Sequence, residues 1–131
     1  MEFPENLHYT EDHEWIEYDP KTKIAKIGIT EYAQEKLGDV VHVELPGEGV
    51  QIAAQESFGS VESVKAVSDI YTPFGGKIKE ANTLLEDSPE LVNEDPYGEA
   101  WMITMEVTDA SKLSGLMNAK AYQAFLESAD E

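Results

Sequence analysis

The chain has no cysteine and no arginine. Without cysteine the polypeptide has no disulfide and no thiolate nucleophile. Without arginine it lacks the forked guanidinium that grips phosphates and carboxylates at two points. All nine basic residues are lysines, set against 27 acidic ones, for a formal net charge of −18. That balance weighs against nucleic acid as a partner, because a polyphosphate needs a positive surface to displace its counterions. No apolar run approaches the roughly 20 residues of a membrane helix. The opening Met1-Glu2-Phe3-Pro4-Glu5 carries no basic-then-apolar leader. The resulting expectation is a monomer with no membrane role, cytoplasmic, or of the mitochondrial matrix only if the chain is a processed organellar form.

Catalytic signatures are also missing. His8, His13 and His42 stand in unrelated contexts. No pair has the i, i+4 spacing of a helical zinc site, and no cysteine joins them, so no metal is expected. There is no Gly-x-Ser-x-Gly elbow, no phosphate loop and no dinucleotide fingerprint. Carboxylates are so abundant that any two of them are poor grounds for an acid–base pair. An enzyme built on His13 and Glu14 would have to turn over unaided. Nothing else in the chain assembles an active site from its own side chains.

What is present is a series of short strands punctuated by Gly and Pro. Length predicts one domain, 1–131, with a core over about 13–107 and C-terminal helices over about 109–128. Residues 1–12 read as an irregular lead-in. Glu14 to Tyr18 and Lys23 to Ile29 read as strands joined by the turn Asp19-Pro20-Lys21-Thr22, with Trp15 as an interior anchor. Thr30 suits a helix N-cap and Gly38 its stop. Val41, Val43 and Leu45 alternate with Val40, His42 and Glu44 as a half-buried strand, and Trp101, Ile103, Met105 and Val107 alternate as another. Pro89 suits the first position of a short helix. Leu113, Leu116 and Met117, then Ala121, Tyr122, Phe125 and Leu126, recur at helical spacing and predict two helices, the second capped by Asn118. The pattern is mainly β, a sandwich or flattened barrel with short helices and a C-terminal helical addition.

Lys65 stands apart. From Leu37 to Gly76 the only other side chain that can carry positive charge is His42. Strands over Glu56–Ser63 and Val67–Thr72 leave Val64-Lys65-Ala66 as a tight reversal, so the lysine lies near a hairpin tip.

The run Glu-Ser-Val-Lys-Ala-Val-Ser-Asp-Ile-Tyr-Thr-Pro, residues 62–73, closely resembles the lipoyl-lysine motif of the H protein of the glycine cleavage system. His13-Glu14-Trp15 is similar to that family's opening signature. The blocks Ile27 to Thr30, Leu37 to Val41, Val43 to Pro46, Ser88 to Asn93, Pro96-Tyr97 and Trp101-Met102 follow its order over nearly the whole chain. The resemblance implies a lipoyl-type fold of two related strand sets. Gly38-Asp39-Val40-Val41 and Gly75-Gly76-Lys77-Ile78 are candidate openings for the two.

It also implies (R)-lipoate in amide linkage to Lys65, attached by a lipoate ligase or a lipoyl/octanoyl transferase that recognises Glu62. Val64 and Ala66 flank the lysine where biotin carriers of similar fold place methionine, which favours lipoate. The implied role is that of a non-catalytic carrier. It takes the aminomethyl group of glycine from pyridoxal-phosphate glycine decarboxylase to a tetrahydrofolate-dependent aminomethyltransferase, and dihydrolipoamide dehydrogenase reoxidises it. Family members shelter the loaded arm in a surface cleft. Glu14 is the first candidate for its cationic amine and Asp69 the second, while Asp12 replaces a serine common in the family and makes the cleft more negative. The residues around Lys65 do not separate this role from lipoyl relay to other enzymes or from sulfur carriage.

Overall fold

A computed structural model describes residues 2–129. The ends of the expected 1–131 domain, at 1, 130 and 131, lie outside the described residues. The strands are β1 (His8–Tyr9), β2 (Glu14–Asp19), β3 (Ile24–Ile29), β4 (Val40–Glu44), β5 (Gln51–Ile52), β6 (Ser57–Ser63), β7 (Val67–Tyr71), β8 (Gly75–Ala81) and β9 (Ile103–Asp109). The helices are α1 (Glu31–Leu37), α2 (Leu84–Asp87), α3 (Leu91–Glu94) and α4 (Ala119–Ala129). Six strands form one antiparallel sheet in the order β1-β2-β3-β9-β8-β5, and three form a second in the order β4-β6-β7. The architecture is thus mainly β, two sheets left open at their edges, with few short helices and one longer helix at the C-terminus. The Gly38 and Gly75 blocks each lead into a strand, β4 in one sheet and β8 in the other.

Alternation along the strands sorts residues onto faces. Ile16, Ile27 and Ile103 stand opposite one another across β2, β3 and β9 and are fully buried. They share a core with Val43, Val61 and Ile70 of the smaller sheet. The other face of the large sheet has its own apolar cluster, where Tyr9 and Trp15 meet Tyr122 and Leu126 of α4. Trp15 lies flat over its cross-strand partner Gly28, so a Cβ there would stand 2.7 Å from the indole. The indole Nε1 donates to Pro96 O at 2.9 Å. This is the interior anchor that the sequence predicts.

Four local expectations are corrected. The lead-in is not wholly irregular, because His8 and Tyr9 pair with Ile16 and Trp15 and Tyr9 also bridges Met117. In β4 it is Val40 that is buried, while Val41 is 49% exposed. A bulge between Val40 and His42 adds one residue and flips the alternation. Of the two C-terminal helices only α4 forms. Leu113–Gly115 is a single 3₁₀ turn, and Leu116 after it is extended, as suits a segment interrupted by glycine. Asn118 does cap α4, its Oδ1 accepting from Ala121 N at 2.8 Å. Pro89 stands in the turn before α3 rather than inside a helix, and α2 precedes it unforeseen.

Candidate functional site: the lysine hairpin and its clefts

Strands β6 and β7 pair antiparallel with Glu62 opposite Val67, Val61 opposite Ser68 and Ser60 opposite Asp69. The reversal is held by one side chain. Buried Ser63 accepts at its Oγ from Lys65 N (3.3 Å) and Ala66 N (3.1 Å) and donates to Ala66 O (3.3 Å). Val64 N donates to Asp39 O at 3.1 Å, which ties the tip to the segment leading into β4. The backbone of Lys65 is therefore fixed while its side chain stays exposed. The one base–carboxylate contact within 4 Å among the described residues joins His42 and Glu44 at 3.7 Å, an ion pair only when the imidazole is protonated, so no described carboxylate lies within 4 Å of the Lys65 ammonium.

Gly38 ends α1 at φ +82°, ψ −156°, a conformation essentially confined to glycine, and a Cβ there would come within 3.5 Å of Lys65 Cε. Asn93 of α3 holds this corner. Its Nδ2 donates to Gln34 Oε1 (2.9 Å) and Gly38 O (2.8 Å), and its Oδ1 accepts from Val40 N (2.9 Å).

Two clefts adjoin. One, of about 280 Å³, lies between α1 and β7 and is lined by Ile29, Ala33, Leu37 and Ile70, with Asp12, His13, Tyr32, Lys36 and Ser68 around them. Its lining residue Leu37 directly precedes Gly38, a residue close to the lysine stem on this side. From Leu37 to Tyr32 it follows α1 for five residues, roughly 7–8 Å at helical rise. The Lys36 ammonium lies 5.4 Å from the Tyr32 ring. The second cleft, of about 220 Å³, is lined by Thr10, Glu11, Asp12, Glu14, Gln55, Tyr71 and Lys112 among others. Asp12 lines both.

The sequence candidates separate on this surface. Glu14 is 2% exposed and lines the second cleft. Its Oε1 accepts from the Thr10 hydroxyl at 2.7 Å and its Oε2 from Tyr71 N at 3.3 Å. Burial pushes its carboxyl up to about 7, against the lowering effect of those two bonds. Asp12 is exposed on the rim between the clefts. Asp69 and Glu62 are exposed on β7 and β6 and line neither cleft. Asp69 stands opposite Ser60, while Glu62 lies between His42 and Val67 in a cross-strand row beside the tip. Val64 and Val67 flank the lysine at 71% and 67% exposure.

Sequence reasoning missed His13, Tyr32, Lys36, Leu37 and Ser68 as cleft residues, because four separate segments meet there. The exposed, unpaired lysine, its fixed turn and the apolar floor of the α1/β7 cleft suit a long acyl chain in amide linkage, since they combine an accessible amine with a channel of matching character.

The family model described as Glycine cleavage H-protein matches residues 7–129. A glycine cleavage system H protein of Brevibacillus brevis is 53% identical over 127 residues, 97% of this chain and 99% of that protein. One of Bacteroides thetaiotaomicron is 52% identical over 124 residues, 95% of this chain and 97% of that protein. The crystal structure of a glycine cleavage system H protein from Mycobacterium marinum superposes with a TM-score of 0.87 at 39% identity, covering 95% of this chain and 99% of that one. Family model, relatives and fold agree over almost the full length: the chain belongs to the glycine cleavage H-protein family, the carrier component of the glycine cleavage system.

Proposed function

We propose that the chain acts as one carrier domain that bears lipoate on Lys65. It takes the aminomethyl group of glycine from glycine decarboxylase to the tetrahydrofolate-dependent aminomethyltransferase, and dihydrolipoamide dehydrogenase then reoxidises it. The observation that carries this reading is the hairpin tip, where Ser63 and Asp39 hold the backbone of an exposed lysine beside a cleft with an apolar floor. Lipoate so bound would supply a dithiolane as the acceptor for the one-carbon group. The protein's own part is to present, to shelter and to balance charge.

Presentation falls to the turn and to the Gly38 corner, where α1 ends near the lysine stem. Glu62, exposed beside the tip, is the proposed contact for the lipoylating ligase or transferase. Shelter falls to the α1/β7 cleft, where Ile29, Ala33, Leu37 and Ile70 keep water from the arm. Charge balance for a cationic amine falls to Asp12 on the shared rim and to Glu14 behind it, with Asp69 a further exposed carboxylate on β7. The chain performs this role without catalysing a step itself, and it needs no metal.

Protein produced in a lipoylation-competent host shows a lipoyl adduct on Lys65 by mass spectrometry. Lys65→Arg loses both the adduct and glycine decarboxylation–exchange activity in a reconstituted system. Full exchange activity with arginine at 65 would sink the proposal.

A further inference from the structure

His13 has φ +70°, in the left-handed region that non-glycine residues seldom occupy. Its backbone is pinned there on both sides: His13 N donates to Thr10 O (3.1 Å), and His13 O accepts from Thr30 N (3.0 Å). Its ring lies against Tyr32 of α1 at 4.6 Å and near Phe125 of α4 at 6.0 Å. Strain of this kind persists where the surroundings over-determine it, often at a working site.

The side chain joins a hydrogen-bond chain. His13 Nδ1 lies 2.9 Å from Tyr122 Oη, and Tyr122 Oη lies 2.8 Å from Thr30 Oγ1. Thr30 Oγ1 in turn accepts from Ala33 N at 3.2 Å, the N-cap bond of α1. Thr30 and Tyr122 are both fully buried, so neither hydroxyl proton can turn to water. A buried donor left unmade costs about 1–3 kcal/mol. Ala33 N–H can only donate, so the Thr30 proton has a single described acceptor left, Tyr122 Oη. The Tyr122 proton then goes to His13 Nδ1. The chain has one polarity, and it ends with Nδ1 as an acceptor.

From this polarity we infer that Tyr122 is a positioning residue: its hydroxyl holds His13 as the neutral imidazole with its proton on Nε2, and that N–H faces the α1/β7 cleft at the end far from Lys65. The ligand it suits is a hydrogen-bond acceptor at the distal, sulfur-bearing end of an arm lying along α1, so the inference rests on the proposed carrier function. An imidazolium here would set two donors head to head at Tyr122. It would also place positive charge where a cationic amine is to be sheltered.

The groups around the ring agree. Asp12 beside it favours protonation, but burial outweighs this and holds His13 below the usual imidazole range. From α1 it meets Tyr32, with Lys36 on the same cleft, and from α4 Tyr122 and the apolar Phe125. Ser68 of β7 brings no charge. The C-terminal helix thereby acts on a cleft that it does not line.

The test uses the full, unmodified chain labelled with ¹⁵N. Long-range imidazole correlations at a pH where His13 is neutral give a pyrrole-type Nε2 and a pyridine-type Nδ1 displaced by an accepted bond. Tyr122→Phe keeps a ring to stack on Tyr9, 4.6 Å away, but removes the donor. Its Nδ1 resonance moves toward the unbonded pyridine-type position. A proton on Nδ1 in the parent, or an unmoved Nδ1 resonance in Tyr122→Phe, overturns the inference. In lipoylated protein charged by glycine decarboxylase, Tyr122→Phe raises ammonia release roughly threefold to tenfold, the worth of one hydrogen bond; an unchanged rate overturns the cleft assignment. Lys65→Arg leaves the His13 signature intact, so failure of the carrier reading and failure of this one are distinguishable.

Discussion

Glu14 shows what one buried charge does to a protein this acidic. It accepts two hydrogen bonds but has no described cation within 4 Å, and burial lifts its carboxyl from 4.5 to about 7. The folded protein therefore holds this proton more tightly than the unfolded chain does. The associated stability is complete below about pH 4.5 and is lost as pH rises through about 7, where the ionised, desolvated carboxylate costs on the order of 2–3 kcal/mol. Glu14→Gln removes that titration. Its denaturant-unfolding free energy falls less between pH 5 and pH 8 than the parent's, by roughly 2–3 kcal/mol. Equal pH slopes in the two proteins would count against a perturbed Glu14. A cation brought close to this carboxylate would favour its ionised form and release the proton. The sequence placed Glu14 as a charge for the loaded amine from its family position, and no sequence rule revealed that it is withdrawn from water. That depends on Thr10 and on the backbone of Tyr71, 57 residues away.

The elements divide into those whose own period identifies them and those made by contacts. Strand β9 and the lysine hairpin were legible because alternation and turn chemistry are local properties. Strand β1 was not, since two residues carry no period and the pairing partner is supplied later by β2. Val41 was misassigned because a bulge is invisible to strict alternation. The first C-terminal helix was misread because apolar spacing alone does not weigh Gly115. The exposed position of Lys65 at a hairpin tip was legible from turn chemistry, whereas the α1/β7 cleft and the His13–Tyr122 bond, spanning 109 positions, depend on tertiary packing. Element ends can be tested directly. Gly38→Ala forces a side chain into a backbone conformation that L-residues avoid and lowers unfolding stability by about 1–3 kcal/mol. Stability within 0.5 kcal/mol of the parent by denaturant titration would show that α1 ends another way.

Across the whole molecule, the formal charge of −18 is undamped by any lysine–carboxylate pair within 4 Å among the described residues. Glu62 and Asp69 lie exposed on the outer face that carries the hairpin. If the charge serves only solubility, encounter rates with the other glycine cleavage components are insensitive to salt. If it steers, rates at low ionic strength exceed those at 0.3 M by about tenfold or more. We expect steering, measured by stopped-flow association across a salt series, with a flat profile as the contrary result. The stapled tip bears on these encounters in another way. Because Val64 is bound to Asp39 and Ser63 closes the turn, a group tethered at 65 swings from a fixed post. Its range is then set by the covalent length of the tether alone, and the local concentration it presents to a docked enzyme is a matter of geometry. Loosening the post would blur that range and dilute the cargo without altering a single contact at the far end.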